Sequence, residues 1–213
     1  MHTSVDSTGE PPAPALRVLP GPGPRTRALV LVLHGGKEAS HEPVRRHQLA
    51  YQRMLPLARG VRRRTGTEVW LLRNRFRGWN EPDLHPVSDA RWALAEAARR
   101  HPGVLIVVVG HSLGGRVALR VADAEGVVGV CALAPWTKSS DPVDQLDGRS
   151  VLLVHGDQDR ITSPAASADY AKRAGARLEV VRGSGHAMLR HHRAWDQLVQ
   201  RFVRALVSEG GRR

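Results

Sequence analysis

Cysteine is almost missing from this sequence, and lysine nearly so. The single cysteine, Cys131, excludes an intramolecular disulfide and any metal centre built from several thiolates. It lies inside the apolar run Val127-Val128-Gly129-Val130-Cys131-Ala132-Leu133, where a buried structural thiol is expected. Lysine occurs only as Lys37, Lys138 and Lys172, so the formal charge of +12 is carried almost wholly by arginine. Those arginines are spread along the chain from Arg17 to Arg213. Such a spread reads as a solvated basic surface, and no nucleic-acid partner is expected. Long apolar runs are lacking as well, since none approaches the roughly 18 residues of a membrane span. The opening stretch MHTSVDSTGEPPAPA has no basic start followed by an apolar segment, so no secretory leader is expected and the cytoplasm is the expected compartment.

What is present suits one folded domain. The 213 residues can bury a single substantial core, and 41% hydrophobic with 24% charged residues is ordinary globular usage. Residues 1–14 should form a flexible tail ahead of one domain at 15–213, with a short strand at Leu16–Leu19 and a turn at Pro20-Gly21-Pro22-Gly23-Pro24. Continuous apolar runs follow at 28–33, 69–72, 104–109, 127–133, 151–154 and 178–181. Runs of this length with β-branched residues suit strands covered on both faces, as in a parallel sheet. Helical character fills the intervals at 44–64, 88–100, 113–124, 164–174 and 187–207, with Ser88 or Asp89 expected to cap the second. This alternation implies an α/β fold: a mostly parallel, doubly wound sheet with helices on both faces. In such sheets ligands bind beyond the carboxyl ends of the strands.

Gly110-His111-Ser112-Leu113-Gly114 carries the strongest chemical signal, a G-x-S-x-G pattern between a buried strand and a helix. A serine on so sharp a turn brings the residues two places either side into close contact, so both must be small. The turn also leaves the Leu113 N–H at a helix N-terminus, where it can stabilise developing negative charge. A serine hydroxyl needs a base, and the base needs a partner to fix its tautomer. His155-Gly156-Asp157-Gln158-Asp159 follows a later strand and offers two carboxylates; Arg182-Gly183-Ser184-Gly185-His186 ends the next strand and offers a histidine. Ten other histidines compete. His111 should point away from the nucleophile, His155 should pack under the acidic turn, and His191-His192 falls on an expected helix without ligand spacing for a metal.

With these motifs in hand, residues 15 to about 208 resemble the α/β-hydrolase superfamily, in a small form without a cap domain. The resemblance implies a serine hydrolase with Ser112 as nucleophile, His186 as base and Asp159, rather than Asp157, as the acid. Asp157 would then shape its turn. It also implies that His34-Gly35-Gly36 supplies the second oxyanion donor from the Gly36 N–H, beside that of Leu113. The segment Arg73-Asn74-Arg75-Phe76-Arg77-Gly78-Trp79-Asn80 resembles a mainly structural arginine-glycine turn, whose extra arginines are expected to be solvated or to pack, with an anionic substrate group as the alternative. Only Pro135 to Ser150 separate the two strands where larger members insert a cap. The site should be open, partly covered by Lys37–Pro43, Trp79 and Trp136. The expected reaction is cleavage of a small-molecule ester or thioester through an acyl-enzyme, with no cofactor and no metal. A peptidase or amidase of the same fold, or a catalytically silent binding protein, are the alternatives. Monomer and dimer both remain open.

Overall fold

The computed structural model describes residues 12–210; residues 1–11 of the expected tail lie outside the described residues. A seven-stranded sheet runs through the chain in the order β1 (Ala15–Leu19), β3 (Glu68–Arg73), β2 (Ala28–Leu33), β4 (Leu105–His111), β5 (Val127–Leu133), β6 (Ser150–Gly156), β7 (Arg177–Val181). Only β1 is antiparallel, against β3; the other pairs are parallel. The order follows from the connections. After β2 the chain steps one way to β3, then returns past β2 to β4 and continues outward. The direction of winding therefore reverses between β2 and β4, which is the position where such sheets open a crevice at their carboxyl ends.

Helices α1 (Leu49–Gln52), α2 (Met54–Thr65) and α6 (His192–Gly210) cover one face of the sheet. The other face carries α3 (His85–Arg100), α4 (Leu113–Arg120) and α5 (Pro164–Arg173). All six residues of β2 are buried: Leu29, Leu31 and Leu33 pack on the α3/α4 side, Val30 and Val32 on the α2/α6 side. The uninterrupted apolar run is thus the sequence image of a strand with a core on each side. Between β5 and β6 there is one 3₁₀ turn, Asp144–Leu146, and no cap domain among the described residues.

Four helices begin or end away from their expected positions, and of these α4 stops at Arg120, four residues short of Ala124. The stretch expected as one helix over 44–64 opens with a turn, because Val44 is tied to the arginine turn: its N–H donates to Arg75 O and its carbonyl accepts from Arg73 Nη1. Pro56 is tolerated as the third residue of α2, where no intrahelical N–H bond is required. Helix α3 starts at His85, not Ser88, and Asp89 caps nothing. Its carboxylate is fully buried and accepts from the Arg75 N–H at 2.8 Å and Arg75 Nε at 2.6 Å. Helix α6 starts at His192 rather than Ala187, since Met188 and His191 hold left-handed φ of 57° and 59°, which a right-handed helix excludes. His191 therefore precedes the helix on which it was expected.

Candidate active site

Ser112 sits between β4 and α4 with φ 57° and ψ −119°, a conformation side-chain-bearing residues rarely adopt. Backbone bonds hold it there. Its N–H donates to Leu133 O at 2.9 Å, and its carbonyl accepts from the N–H groups of Gly115, Arg116 and Trp136 at 3.0–3.2 Å. The flanking glycines are required by contact. A Cβ on Gly110 would lie 2.0 Å from Gly114 O, and one on Gly114 would lie 2.6 Å from His34 O. The elbow is thereby packed against the turn that ends β2.

His186 lies in the loop after β7. Its Nε2 is 3.0 Å from Ser112 Oγ and its Nδ1 is 2.8 Å from Asp159 Oδ2. The three sequence-predicted residues thus come together from three separate turns. Asp157 does not join them; its Oδ1 accepts from the Gly183 N–H at 2.7 Å, tying the β6 turn to the turn after β7.

Asp159 is buried and heavily solvated by protein donors. Oδ1 accepts from the N–H groups of Ile161 and Thr162, at 2.8 and 3.0 Å. Oδ2 accepts from the Thr162 hydroxyl at 2.9 Å and faces His155 Nε2 at 3.2 Å, besides His186. Burial pushes this carboxyl up, but the donors, with Thr162 and Ile161 foremost, outweigh it and leave it below its ordinary value. It remains an anion facing the imidazole. His155 does pack under the acidic turn, as expected, with its other nitrogen on the buried Ser167 hydroxyl at 2.8 Å. Thr162 was not singled out from sequence; the Asp-x-x-Thr spacing, which suits an aspartate accepting from the next turn, is the signal that marks it.

Two further histidines are buried and neutral. His34 Nδ1 donates to Gly35 O at 2.7 Å, while Nε2 accepts from the Asn74 N–H at 3.2 Å, and burial brings its pKa to about 4. His111 Nε2 donates to the His186 carbonyl at 2.9 Å, and burial brings its pKa to about 3. Its Nδ1 is buried without a partner among the described residues, which identifies it as the bare lone pair. His111 therefore faces away from the Ser112 hydroxyl and tethers the backbone of His186.

The Gly35-Gly36 turn lies directly beside the elbow. A Cβ on Gly35 would sit 3.3 Å from Ser112 Cβ, and one on Gly36 would sit 2.8 Å from a Leu113 methyl and 2.3 Å from Arg77 O. The N–H of Leu113, first residue of α4, has no intrahelical acceptor. The arginines of the neighbouring turn are occupied: Arg73 by Val44 O, Arg75 by Asp89 and Arg77 by Glu42. Arg75 and Arg77 are thus ion-paired within the loop, and Arg73 is tied to it through a backbone carbonyl. The segment 37–43 packs on this turn through bridges to Gly78 and Phe76, and Lys138 Nζ meets Glu38 at 3.2 Å across the mouth.

Trp79 is not part of the cover. It is 1% exposed and forms a floor with Trp136 around Arg116, whose guanidinium carbon lies 4.1 and 4.7 Å from the two ring centroids. Arg116, 3% exposed, is held bidentate by Asp141 at 2.7–3.1 Å. Among the described residues one metal-like grouping occurs, His41, Asp83 and His85, with ligand atoms within 4.8 Å of one another. Asn80 Nδ2 faces His85 Nδ1 at 3.5 Å and can only donate, because Asn80 Oδ1 already accepts from the Ser40 N–H. With Nδ1 accepting, the ring proton lies on His85 Nε2, the nitrogen toward Asp83.

Residues 29–149, more than half of the chain, match the family model described as the alpha/beta hydrolase family. The chain belongs to this family. A second model, described as TAP-like protein, matches residues 119–208 of the same hydrolase. No curated protein matches its sequence. Among solved structures the hydrolase is similar to an a/b serine hydrolase without a lid from Xanthomonas campestris, at 22% identity and a TM-score of 0.70, over 91% of this chain and 89% of that one. It is also similar to Est1E from Butyrivibrio proteoclasticus, at 17% identity and a TM-score of 0.65 over 94% of each chain. A monoacylglycerol lipase from Paleococcus ferrophilus aligns at 15% identity and a TM-score of 0.64, over 90% of this chain and 98% of that one. At these identities the likeness is one of fold. No helix among the described residues is long and apolar enough to cross a membrane.

Proposed function

We propose that this hydrolase cleaves carboxylic esters or thioesters of small molecules through an acyl-enzyme on Ser112. The supporting observation is the continuous relay from Ser112 Oγ to His186 Nε2 and from His186 Nδ1 to Asp159 Oδ2, at 3.0 and 2.8 Å. Ser112 Oγ attacks the acyl carbon as its proton passes to His186 Nε2, and the carbonyl electrons move onto oxygen. The N–H groups of Gly36 and Leu113 then hold the resulting oxyanion. When the intermediate collapses, the alcohol or thiol leaves with the proton from Nε2, and Ser112 keeps the acyl group. Water repeats the sequence and restores the serine. Asp159 keeps the proton on Nδ1, so that Nε2 is free to act as base, and stabilises the imidazolium between steps.

The short β5–β6 connection leaves the mouth of the site without a cap, which favours small or extended acyl groups. Burst release of p-nitrophenol from a p-nitrophenyl ester, lost in Ser112→Ala, is the expected result. Fluorophosphonate labelling of Ser112 is expected in parallel. A chain that neither labels nor turns over any of a panel of esters, thioesters and amides would instead be a silent binding protein. Preference for amides over matched esters would assign it as an amidase or peptidase.

A further inference from the structure

The arginines are spread along the sequence, but the carboxylates that balance them are not. Residues 44–65 and 187–204 contain eleven arginines and a single carboxylate, Asp196. These two segments pack side by side as α1, α2, the loop before α6 and most of α6. Among the described residues, none of the eleven lies within ion-pairing distance of a carboxylate. The pairs of the opposite face, by contrast, are satisfied locally, as in Arg91–Asp123, Arg100–Glu96 and Arg173–Asp169. One face of the sheet therefore carries most of the uncompensated charge.

The same face is apolar at one end. A groove of about 560 Å³ between the start of α2 and the start of α6 is lined by Leu57, Met188 and Trp195. Its rim carries Leu49 and Leu189, 78% and 73% exposed. It runs on, through the shared residues Pro56, His192 and Asp196, into a second groove of about 810 Å³ lined by Arg59, Arg62, Arg63, Arg64 and Arg193. The leucines lie at the carboxyl-end rim of the sheet, and the arginines continue down the helices behind them.

We propose that this face docks on an anionic lipid surface, with Leu49 and Leu189 entering the acyl boundary and the arginines of α2 and α6 lying among the headgroups. Charge complementarity selects an anionic partner, and the protruding aliphatic side chains select lipid over nucleic acid. A single-strand platform would present exposed aromatic rings, whereas the aromatic residue here, Trp195, is 1% exposed. The inference does not depend on the esterase reading, because it concerns attachment and not chemistry.

Flotation of the full chain with vesicles of phosphatidylcholine, alone or with phosphatidylserine, tests it. Binding to the phosphatidylserine vesicles alone, weakening as salt is raised, is the expected result. Arg59→Gln and Arg63→Gln should each weaken it about fivefold, and together about 25-fold. Leu49→Ser with Leu189→Ser should weaken vesicle binding while leaving binding to duplex DNA unchanged. Both are surface changes, so circular dichroism melting should be unaltered. Absence of partitioning into the anionic vesicles would overturn the proposal. So would duplex DNA binding tighter than vesicle binding and indifferent to the leucines, which would assign the face to nucleic acid.

Discussion

Acidification from pH 7 to pH 5 should cost this protein about 4 kcal/mol of folding stability, and the loss should come from two named histidines. His34 and His111 are neutral in the folded chain, with pKa values of about 4 and about 3 set by burial. The geometry gives the same answer. Protonating His34 at Nε2 would turn the acceptor of the Asn74 N–H into a second donor. Protonating His111 at Nδ1 would place an N–H where no acceptor exists among the described residues. In the unfolded chain both rings titrate near 6.5. Below that value the unfolded state takes up protons that the folded state refuses, so their contribution is complete above pH 6.5 and drains away as the pH falls toward 4 and 3. Integrated over this interval, each histidine accounts for roughly 2 kcal/mol, against a total stability of roughly 5–15 kcal/mol. His155, also held below its ordinary value by burial, acts in the same direction. Asp159 does not contribute in this window, since its lowered carboxyl loses stability only below the ordinary carboxylate range, while Asp89 and Asp196, raised by burial, act in the opposite direction to the histidines. Urea titration by tryptophan fluorescence at the two pH values measures the loss. His111→Gln keeps a donor toward the His186 carbonyl and removes one titration, so it should recover about half. Equal stability at pH 7 and 5, or a glutamine variant that retains the whole drop, would refute the reasoning.

Gly36→Ala should lower kcat on a soluble ester by roughly 100-fold with little change in KM, because its Cβ would meet Arg77 O at 2.3 Å and displace the proposed oxyanion donor. Asp141→Ala should cost roughly 3 kcal/mol in thermal unfolding, since it leaves Arg116, at 3% exposure, with Glu81 at 3.8 Å as its remaining counter-charge. Cys131 is fully buried, and burial raises its thiol, so it should ignore Ellman's reagent in the native protein and react at once in urea.

The strands were legible because both faces of the sheet are covered, so burial is written into the sequence as continuous runs such as Ala28–Leu33. The candidate site was legible for a different reason. Ser112, Asp159 and His186 each stand at the end of a strand, in turns whose small residues are fixed by backbone contact. Helix starts were hidden, because distant partners decide them. Asp89 looks like a cap until Arg75, fourteen residues earlier, is seen to claim its carboxylate in the core. Arg116 looks like a solvated helical arginine until Asp141 and two tryptophans enclose it. Ala187–His191 reads as helix by composition, and only the left-handed backbone of Met188 and His191 shows otherwise. Pairings across the fold leave no periodic trace, and neither does the meeting of two carboxylate-poor segments, 44–65 and 187–204, on one face.

That loop also shows where the candidate site is least secured. Ser112 and Asp159 stand on the ends of central, hydrogen-bonded strands, but His186 lies beyond the carboxyl end of edge strand β7. Its position depends on single tethers such as His111 Nε2 to the His186 carbonyl, the Gln158 N–H to Ser184 O, Ser184 Oγ to Arg190 O, Trp195 Nε1 to Ser184 Oγ, and Asp157 to the Gly183 N–H. Each is one hydrogen bond, of the order of 1 kcal/mol net, so this segment should open more readily than the strands it caps. Ala187, Met188 and Leu189, which follow the histidine directly, line the apolar groove of the basic face. A surface that engages Leu189 thus acts on the same short loop that aims His186 at Ser112. The proposed docking would therefore bear on the proposed chemistry through that loop: fixing it would hold His186 in line with Ser112, and displacing it would withdraw the ring.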